Sequence, residues 1–467
     1  MSRGRYTACP LLALNDDVLL SMLPYFNALE LFQWGLTCKR LYQMTQTPNL
    51  WISLARELRN NSVLLPFSFG KTIDNADLSG LRIATTKATR LRENLRRKQP
   101  VIYRFNLISH GWFKGQVLRD EAHKCIALFD GRWIVYRQYD SLRVQHVQTT
   151  KSKYIFSIDI QEYASWRILL SPVSGDVAMV AVHHDVNEEW DVIEITFGAT
   201  PKTKPKFRSM YYPKIKHLEF LGGGLSVIYT QGLAKLLNHY TGKTADLGPA
   251  TSTPHKYLLQ DDVLFQLVVR TNGLLYVYAR RVENKDNGSL IVSKGEIPLE
   301  IPLAANCATY PPDQFWTETE LRPSSTDSQL TIWHRVHFKT RGEVYYASYT
   351  IDVPYTPIWS DDEETALFGN WTYRASVVAN GTMTVGQGGD SLLLSRYRNQ
   401  MAALTVYPRL HLPVNQSRMA DHGTSLPVPQ KKVAGNDIHS VRMAWDDVRG
   451  IAVLYFSDAT IWVLHYA

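Results

Sequence analysis

Two periods of apolar spacing divide this chain. Over residues 11–58 the apolar positions recur at helical spacing, in LNDDVLLSMLPYF, ALELFQWGL, TCKRLYQM and PNLWISLAREL. Asn15 or Asp16 is placed to cap the first helix, and Pro48 suits the first turn of the last. Each segment is short, so the helices must bury their apolar stripes against one another or against a partner. Leu14, Val18, Leu19, Met22, Leu23, Tyr25, Phe26, Leu29, Leu31, Phe32, Trp34 and Leu36 are many apolar groups for so small a unit, which points to a surface offered to another protein. A further helix is expected at residues 81–98, where Leu81, Ala84, Ala88, Leu91 and Leu95 make one stripe and Gln99-Pro100 ends it. With cations on its other faces, it reads as a solvated connector between two domains.

From Val101 the period shortens to two. CIALF-DG-RWIVY, VLFQLVVRT-NG-LLYVYA and YRASVVA-NG-TMTV each place Asp-Gly or Asn-Gly between apolar runs. That is a hairpin signal, because a type I′ turn needs positive φ at both central residues. Further pairs are expected at DVAMVAV/DVIEITF, HLEFLGGG-LSVIYTQ, TIWHRVHF/EVYYASYTI and IAVLYFSDATIWVLHY. Helical spacing is nearly absent over these 367 residues, too many for one sandwich, so radial repetition of small antiparallel sheets is the natural architecture. Gly131, Gly273 and Gly381 are 142 and 108 residues apart, compatible with three and two repeats of blade length. The expectation is therefore an α+β multidomain chain: a helical head at 11–58, a linker with a basic amphipathic helix at 59–100, and at 101–467 an all-β domain, a β-propeller of about seven blades. If the ring closes by pairing its ends, VIYRFNL (101–107) joins TIWVLHY. HLPVNQSRMADHGTSLPVPQKK (411–432) reads as an exposed loop.

Charge changes this picture only locally. Lys and Arg number 51 and Asp and Glu 43, of which 14 and 7 lie in residues 1–100, so 37 and 36 remain for the rest. The body is nearly neutral, which argues against nucleic acid as its general partner. No apolar run has the length of a membrane span, and the start of the chain is too short in apolar residues for a signal peptide. Cys9, Cys38, Cys125 and Cys307 form no paired motif, so free thiols in the cytoplasm or nucleus are expected rather than a disulfide framework.

Candidate chemistry is sparse. Thr241-Gly242-Lys243-Thr244 lacks the first phosphate-loop glycine, since position 237 is Leu237. Gly386-Gln387-Gly388-Gly389 precedes a strand-like SLLLSRY rather than a helix. His183-His184-Asp185 with Glu188, Glu189 and Asp191 gathers metal-capable groups on one hairpin, a composition usual for a solvated loop. His334 and His337 fall on opposite faces of one strand, and Asp361-Asp362-Glu363-Glu364 reads as an exposed acidic loop. There is no Gly-x-Ser-x-Gly and no His-Glu-x-x-His. No catalytic residue, metal or cofactor is assigned, and the chain is read as non-catalytic.

The helical head nevertheless resembles a known family. Leu14, Asp17, Val18, Leu19, Leu20, Met22, Leu23, Tyr25, Phe26, Leu31, Leu36, Cys38, Lys39, Arg40, Leu41, Pro48, Leu50 and Trp51 stand in the order of the F-box. That module docks on the Skp adaptor of cullin-based ubiquitin ligases. Asn15 stands where the family usually has proline, and Thr37 where it has a small aliphatic residue. The resemblance implies adaptor contact by Leu14, Val18, Leu19, Leu23, Tyr25, Phe26 and Leu31, and a module core of Leu36, Cys38, Leu41, Leu50 and Trp51. It further implies a cullin bound through the adaptor and a protein substrate on the β domain; from charge and apolar-run length, no nucleic-acid or membrane partner is expected. A scaffold acting outside ligases, or a propeller-fold enzyme or glycan binder, stays open at this stage.

Overall fold

In the computed structural model, residues 13–60, 63–109, 126–302, 315–407, 424–428 and 441–467 are described, with short breaks inside these ranges. The chain divides into two compact units that part between Arg96 and Arg97.

Among the described residues the first unit holds five α-helices: α1 (Asp16–Met22), α2 (Ala28–Gly35), α3 (Lys39–Met44), α4 (Pro48–Asn60) and α5 (Leu78–Arg96), with a 3-10 turn at Leu23–Tyr25. The expected connector helix is α5, and it is no solvated connector. It packs on α2 and α4, burying Leu81, Ala84, Ala88 and Leu91, and Leu81 shares a core with Leu23, Leu31 and Trp51. A stripe of this width on 19 residues needs a partner, and the partner is the preceding helices. The division at Arg96 lies four residues before the expected boundary at 100, and the helices expected on either side of residue 58 share one core. No helix among the described residues is long and apolar enough to cross a membrane.

The second unit is a ring of seven antiparallel sheets. Strand β1 (Arg104–Ser109) opens it. Blade 1 follows with β2 (Ile126–Phe129), β3 (Trp133–Gln138), β4 (Ser141–His146) and β5 (Phe156–Asp159); blade 2 with β6 (Ala164–Ser174), β7 (Val177–His184), β8 (Glu189–Thr196) and β9 (Lys206–Tyr212). Blade 3 has β10 (His217–Gly222), β11 (Leu225–Thr230), β12 (Leu233–Asn238) and β13 (Thr244–Pro249). Blade 4 has β14 (Lys256–Gln260), β15 (Val263–Val269), β16 (Leu274–Asn284), β17 (Leu290–Val292) and β18 (Leu299–Pro302). Blade 5 has β19 (Phe315–Pro323), β20 (Gln329–Thr340), β21 (Glu343–Trp359), β22 (Glu364–Phe368) and β23 (Thr372–Asn380). Blade 6 has β24 (Thr382–Val385), β25 (Ser391–Arg396), β26 (Ala402–Tyr407) and β27 (Thr424–Leu426), and blade 7 has β28 (Arg442–Asp446), β29 (Ile451–Tyr455) and β30 (Thr460–His465). The innermost strands meet in turn: β2 with β6, β6 with β10, β10 with β14, β14 with β19, β24 with β28, and β28 with β2; β23 against β25 supplies the step between blades 5 and 6. This is a closed seven-bladed β-propeller.

In blades 1, 2, 3 and 7 the central strands are buried on both faces, so they read as almost unbroken apolar runs. Alternate residues serve the two neighbouring blades. On β7, Ala178, Val180 and Val182 pack with blade 1, while Met179 and Ala181 pack with blade 3. On β3, Trp133 and Val135 face blade 2, and Ile134 and Tyr136 face blade 7.

Closure uses both ends of the propeller sequence. β1 pairs with β30 from Arg104 opposite His465 to Ser109 opposite Thr460, so the outer strand of blade 7 comes from the start of the domain, as the expected end pairing requires. Three polar contacts reinforce the seam. Asn106 Nδ2 donates to the Val147 carbonyl at 2.6 Å, and the Tyr455 hydroxyl to the Arg137 carbonyl at 3.4 Å. Arg449, in the turn after β28, bonds Asp446 at 3.0 Å and reaches Asp130, 319 residues away in sequence. Asp130 and Gly131 hold φ of 48° and 60°, the I′ geometry expected of this Asp-Gly, and a side chain at Gly131 would collide with Arg449.

The other expected hairpins divide. β7/β8, β10/β11, β15/β16, β20/β21 and β29/β30 pair as expected. The strands on either side of Asn380 do not form a hairpin with each other: β23 pairs with β21 and β24 with β25; Gly381 lies outside the described residues. The long strands of blade 5, 12 and 17 residues for β20 and β21, lengthen that blade and upset the even spacing. Within 411–432, Thr424–Leu426 forms the outer strand of blade 6 rather than loop; residues 411–423 and 429–432 lie outside the described residues, as does Gly273.

Buried histidines tie neighbouring blades together. His239 Nδ1 meets the Tyr212 hydroxyl of blade 2 at 2.8 Å, and its Nε2 bonds Ser226. Burial lowers His239 to about 4. His146 is also lowered to about 4, by burial and then by the nearby Arg132 and Arg104.

Two outcomes follow from this architecture. Replacing Arg449 with Met leaves Asp130 buried at 7% exposure beside a single remaining cation, Arg132. Because Arg132 still pairs with Asp130, the cost is that of a lost charged hydrogen bond, about 1.5–3 kcal/mol, and the urea midpoint falls; an unchanged midpoint would show that the seam does not depend on this clasp. The second outcome concerns pH. Histidines lowered in the folded state give stability that is fully present above the unfolded value near 6.5 and lost as pH falls towards 4. His239 alone supplies a slope of up to about 1.4 kcal/mol per pH unit in that window, read as a lower urea midpoint at pH 5 than at pH 7.

Candidate functional site: the exposed apolar face of the helical unit

Local sequence fixes the start of each helix. The Asn15 side chain caps α1, its Oδ1 accepting from the Asp16 N–H at 2.7 Å, so the residue in place of the family's proline begins the helix instead. Asn27 and Glu30 form a reciprocal capping box at α2. Pro24 sits at the start of the 3-10 turn, where its missing N–H costs nothing. Arg40, at the start of α3, reaches back to α1: its Nη2 donates to the Leu14 carbonyl at 2.7 Å and its Nε to Asp16 at 2.8 Å. The Cys-Lys-Arg segment thereby holds the first helix in place.

Beneath this lies a single core. Trp51 is fully buried, and its Nε1 donates to the Thr45 carbonyl at 2.7 Å. A Cβ on Gly35 would sit 2.9 Å from Thr45 Oγ1, so the end of α2 needs a glycine for this approach. Arg82 of α5 lies 5.6 Å from the Trp51 ring centroid and 5.5 Å from that of Tyr42 and bonds Gln46 at 3.0 Å. Phe26 packs on Trp34 with centroids 4.9 Å apart.

Burial sorts the expected contact residues into two groups. Leu19, Leu23 and Leu31 are 0%, 3% and 0% exposed; they build the unit's own core and have no surface left for a partner. Phe26 is half-buried. Leu14, Val18 and Tyr25 are exposed, Tyr25 at 88%. Of the expected module core, Leu41 and Trp51 are buried, and Cys38 and Leu50 are half-buried. Leu36 is not core at all: it caps the end of α2 and is 70% exposed. With Leu20 and Tyr42 also exposed, the segment from Leu14 to Tyr42 presents six large apolar side chains to solvent. The sequence spacing could not separate these groups, because α1 carries apolar residues on both faces.

The remaining motifs build no site. Thr244 begins strand β13 rather than a helix, and Gly242 sits at φ 68° in the preceding turn. His183 and His184 end β7 and pair with Trp190 and Glu189; Asp185 and Glu188 lie outside the described residues, as do Gly386–Gly389 and Asp361–Glu363. His334 and His337 are three apart on β20. Among the described residues no group of three or more His, Cys, Asp or Glu is placed to hold a metal. A shallow depression of about 450 Å³ along α4, lined by Asn49, Ile52, Ser53, Arg56, Glu57 and Asn60, gathers no convergent charges: Arg56 is already paired with Asp74 at 3.2 Å.

The fold and this surface define a β-propeller protein preceded by a five-helix unit. No family model matches the chain, and no curated protein matches it. Among solved structures, it is similar to a chain of the mitotic checkpoint complex, with 10% identity and a TM-score of 0.39 over 79% of this chain and 95% of that one. It is also similar to the β-propeller domain of Nup133 from Vanderwaltozyma polyspora, with 9% identity and a TM-score of 0.37 over 73% of this chain and 93% of that one. Scores this low carry no argument about function.

The core analysis gives one expected outcome. Trp51→Ala removes a fully buried indole and costs about 3–5 kcal/mol, whereas Asn27→Ala removes a cap worth about 1 kcal/mol. Hydrogen exchange of residues 13–60 in the full chain should accelerate strongly in the first variant and mildly in the second. Equal acceleration in both would mean that Trp51 does not hold this core.

Proposed function

We propose that this chain is an F-box-type substrate-recognition subunit: the helical unit docks on a Skp-type adaptor, and through it a cullin, while the propeller binds a protein substrate in the cytoplasm or nucleus. The observation that carries the reading is the set Leu14, Val18, Leu20, Tyr25, Leu36 and Tyr42, exposed on helices whose core is already complete without them. Apolar side chains left outside a finished core mark an interaction surface. The family resemblance supplies the adaptor as the occupant. The propeller is a protein-interaction fold, and holding a substrate near the transferring enzyme raises its effective concentration without chemistry from this chain.

The discriminating variant changes exposed residues only. Val18→Asp/Tyr25→Asp should keep the wild-type melting temperature and weaken adaptor binding by at least about 30-fold, the loss expected from removing an aromatic anchor. Substitution of Leu19 or Leu23 would unfold the unit and report nothing about docking. Unchanged affinity in the folded double variant would remove the support for this reading. Adaptor binding without cullin recruitment would make the chain a scaffold outside ligases.

A further inference from the structure

The near-neutral propeller contains one concentrated run of cations. Lys202, Lys204, Lys206, Arg208, Lys214 and Lys216 fall between Phe197 and Leu218, a stretch with no Asp or Glu, and all six are exposed. The run centres on β9, which pairs along one side with β8 and, among the described residues, is the outermost strand of blade 2. Lys206 and Arg208 are two apart, so they stand on the same face of the strand, opposite Thr196 and Glu194. Glu194 is shared with the Tyr240 hydroxyl, which it helps push up to about 12 after burial. On the other face Glu189 bonds the hydroxyl of Tyr211, raising it. The remaining cations continue the run into the segments before and after the strand.

Lysines and prolines commonly protect an edge strand from random pairing, and Pro205 and Pro213 bracket β9. Short edge strands need less protection: β5 has four residues, and β17 and β27 have three each. β13 has six, no cation and a closing proline, and β1 carries one cation, Arg104. β9 has seven residues with two cations on one face and four more beyond its ends, a density that gives this edge a charge preference as well as protection. We propose that the edge of β9 receives an extended acidic segment of another protein by strand addition. Its backbone would pair with β9, carboxylates on alternate residues would meet Lys206 and Arg208, and further acids would meet the cations beyond each end. Side chains on alternate residues of an added strand repeat at about 6.6–6.8 Å, the spacing Lys206 and Arg208 themselves present, and main-chain pairing supplies affinity while side chains supply selectivity. A polypeptide is favoured over a nucleic acid because the charge follows a strand edge, whose backbone groups a nucleic acid cannot pair with. The inference does not rest on adaptor docking, and its test involves only the propeller.

The experiment uses the full chain and a labelled peptide of alternating Glu and Thr, with a permuted peptide carrying its Glu residues in one block. Fluorescence anisotropy should show saturable binding of the alternating peptide, weakened by salt and at least about ten-fold weaker for Lys206→Gln/Arg208→Gln. Amides of β9 should exchange more slowly in the complex. No saturable binding, equal binding of the block peptide without slowed β9 exchange, or tighter competition by single-stranded RNA would each overturn the proposal. Lys206 and Arg208 are exposed, so the double Gln variant should keep the wild-type unfolding midpoint, and a loss of binding with that midpoint kept is not a folding effect.

Discussion

The pairing of β1 with β30 is the constraint on which the rest of the propeller depends. A ring of seven sheets has no stable open form in which the faces of blades 1 and 7 are both covered. Those faces are apolar: Ile134 and Tyr136 on one side, Val453, Tyr455 and Val463 on the other, all buried at the seam. A single strand from the start of the domain completes the blade made from its end, and Arg449 locks the adjoining turns by bridging Asp446 and Asp130. Closure brings contacts of very long sequence separation, whose loop-closure entropy slows folding.

Much of this was legible before any coordinates. Runs such as IAVLYF and VAMVAV are long, apolar and β-branched, as strands buried on both faces must be, and the Asp130-Gly131 turn follows from backbone sterics alone. Other features depend on what a segment packs against. The dipeptide Asn380-Gly381 has the same local chemistry as a hairpin turn, but pairing partners are a property of the whole sheet. The stripe on α5 was visible as a stripe; that α2 and α4 cover it was not. On α1 the helical period placed Leu19 and Val18 among equally apolar neighbours, and only the arrangement of the core decides that Leu19 is inside and Val18 outside.

Electrostatics follows the same division. A sum over the propeller gives near neutrality and argues against a polyanion-binding body. That sum averages away the run from Lys202 to Lys216, which matters because the topology puts it on the outermost strand of a blade. The buried histidines are the opposite case. Nothing in their sequence context distinguishes His239 from an exposed histidine, whereas its bonds to Tyr212 and Ser226 make it a neutral strut between blades.

The central claim is a division of labour between a helical unit that docks and a propeller that holds a substrate. Hydrogen–deuterium exchange of the full chain, with and without a purified Skp-type adaptor, tests it most directly. The account predicts a stoichiometric complex with slowed exchange confined to the helices between Leu14 and Tyr42 and an unaltered propeller. Absence of a complex, or protection located in the propeller blades, would contradict it.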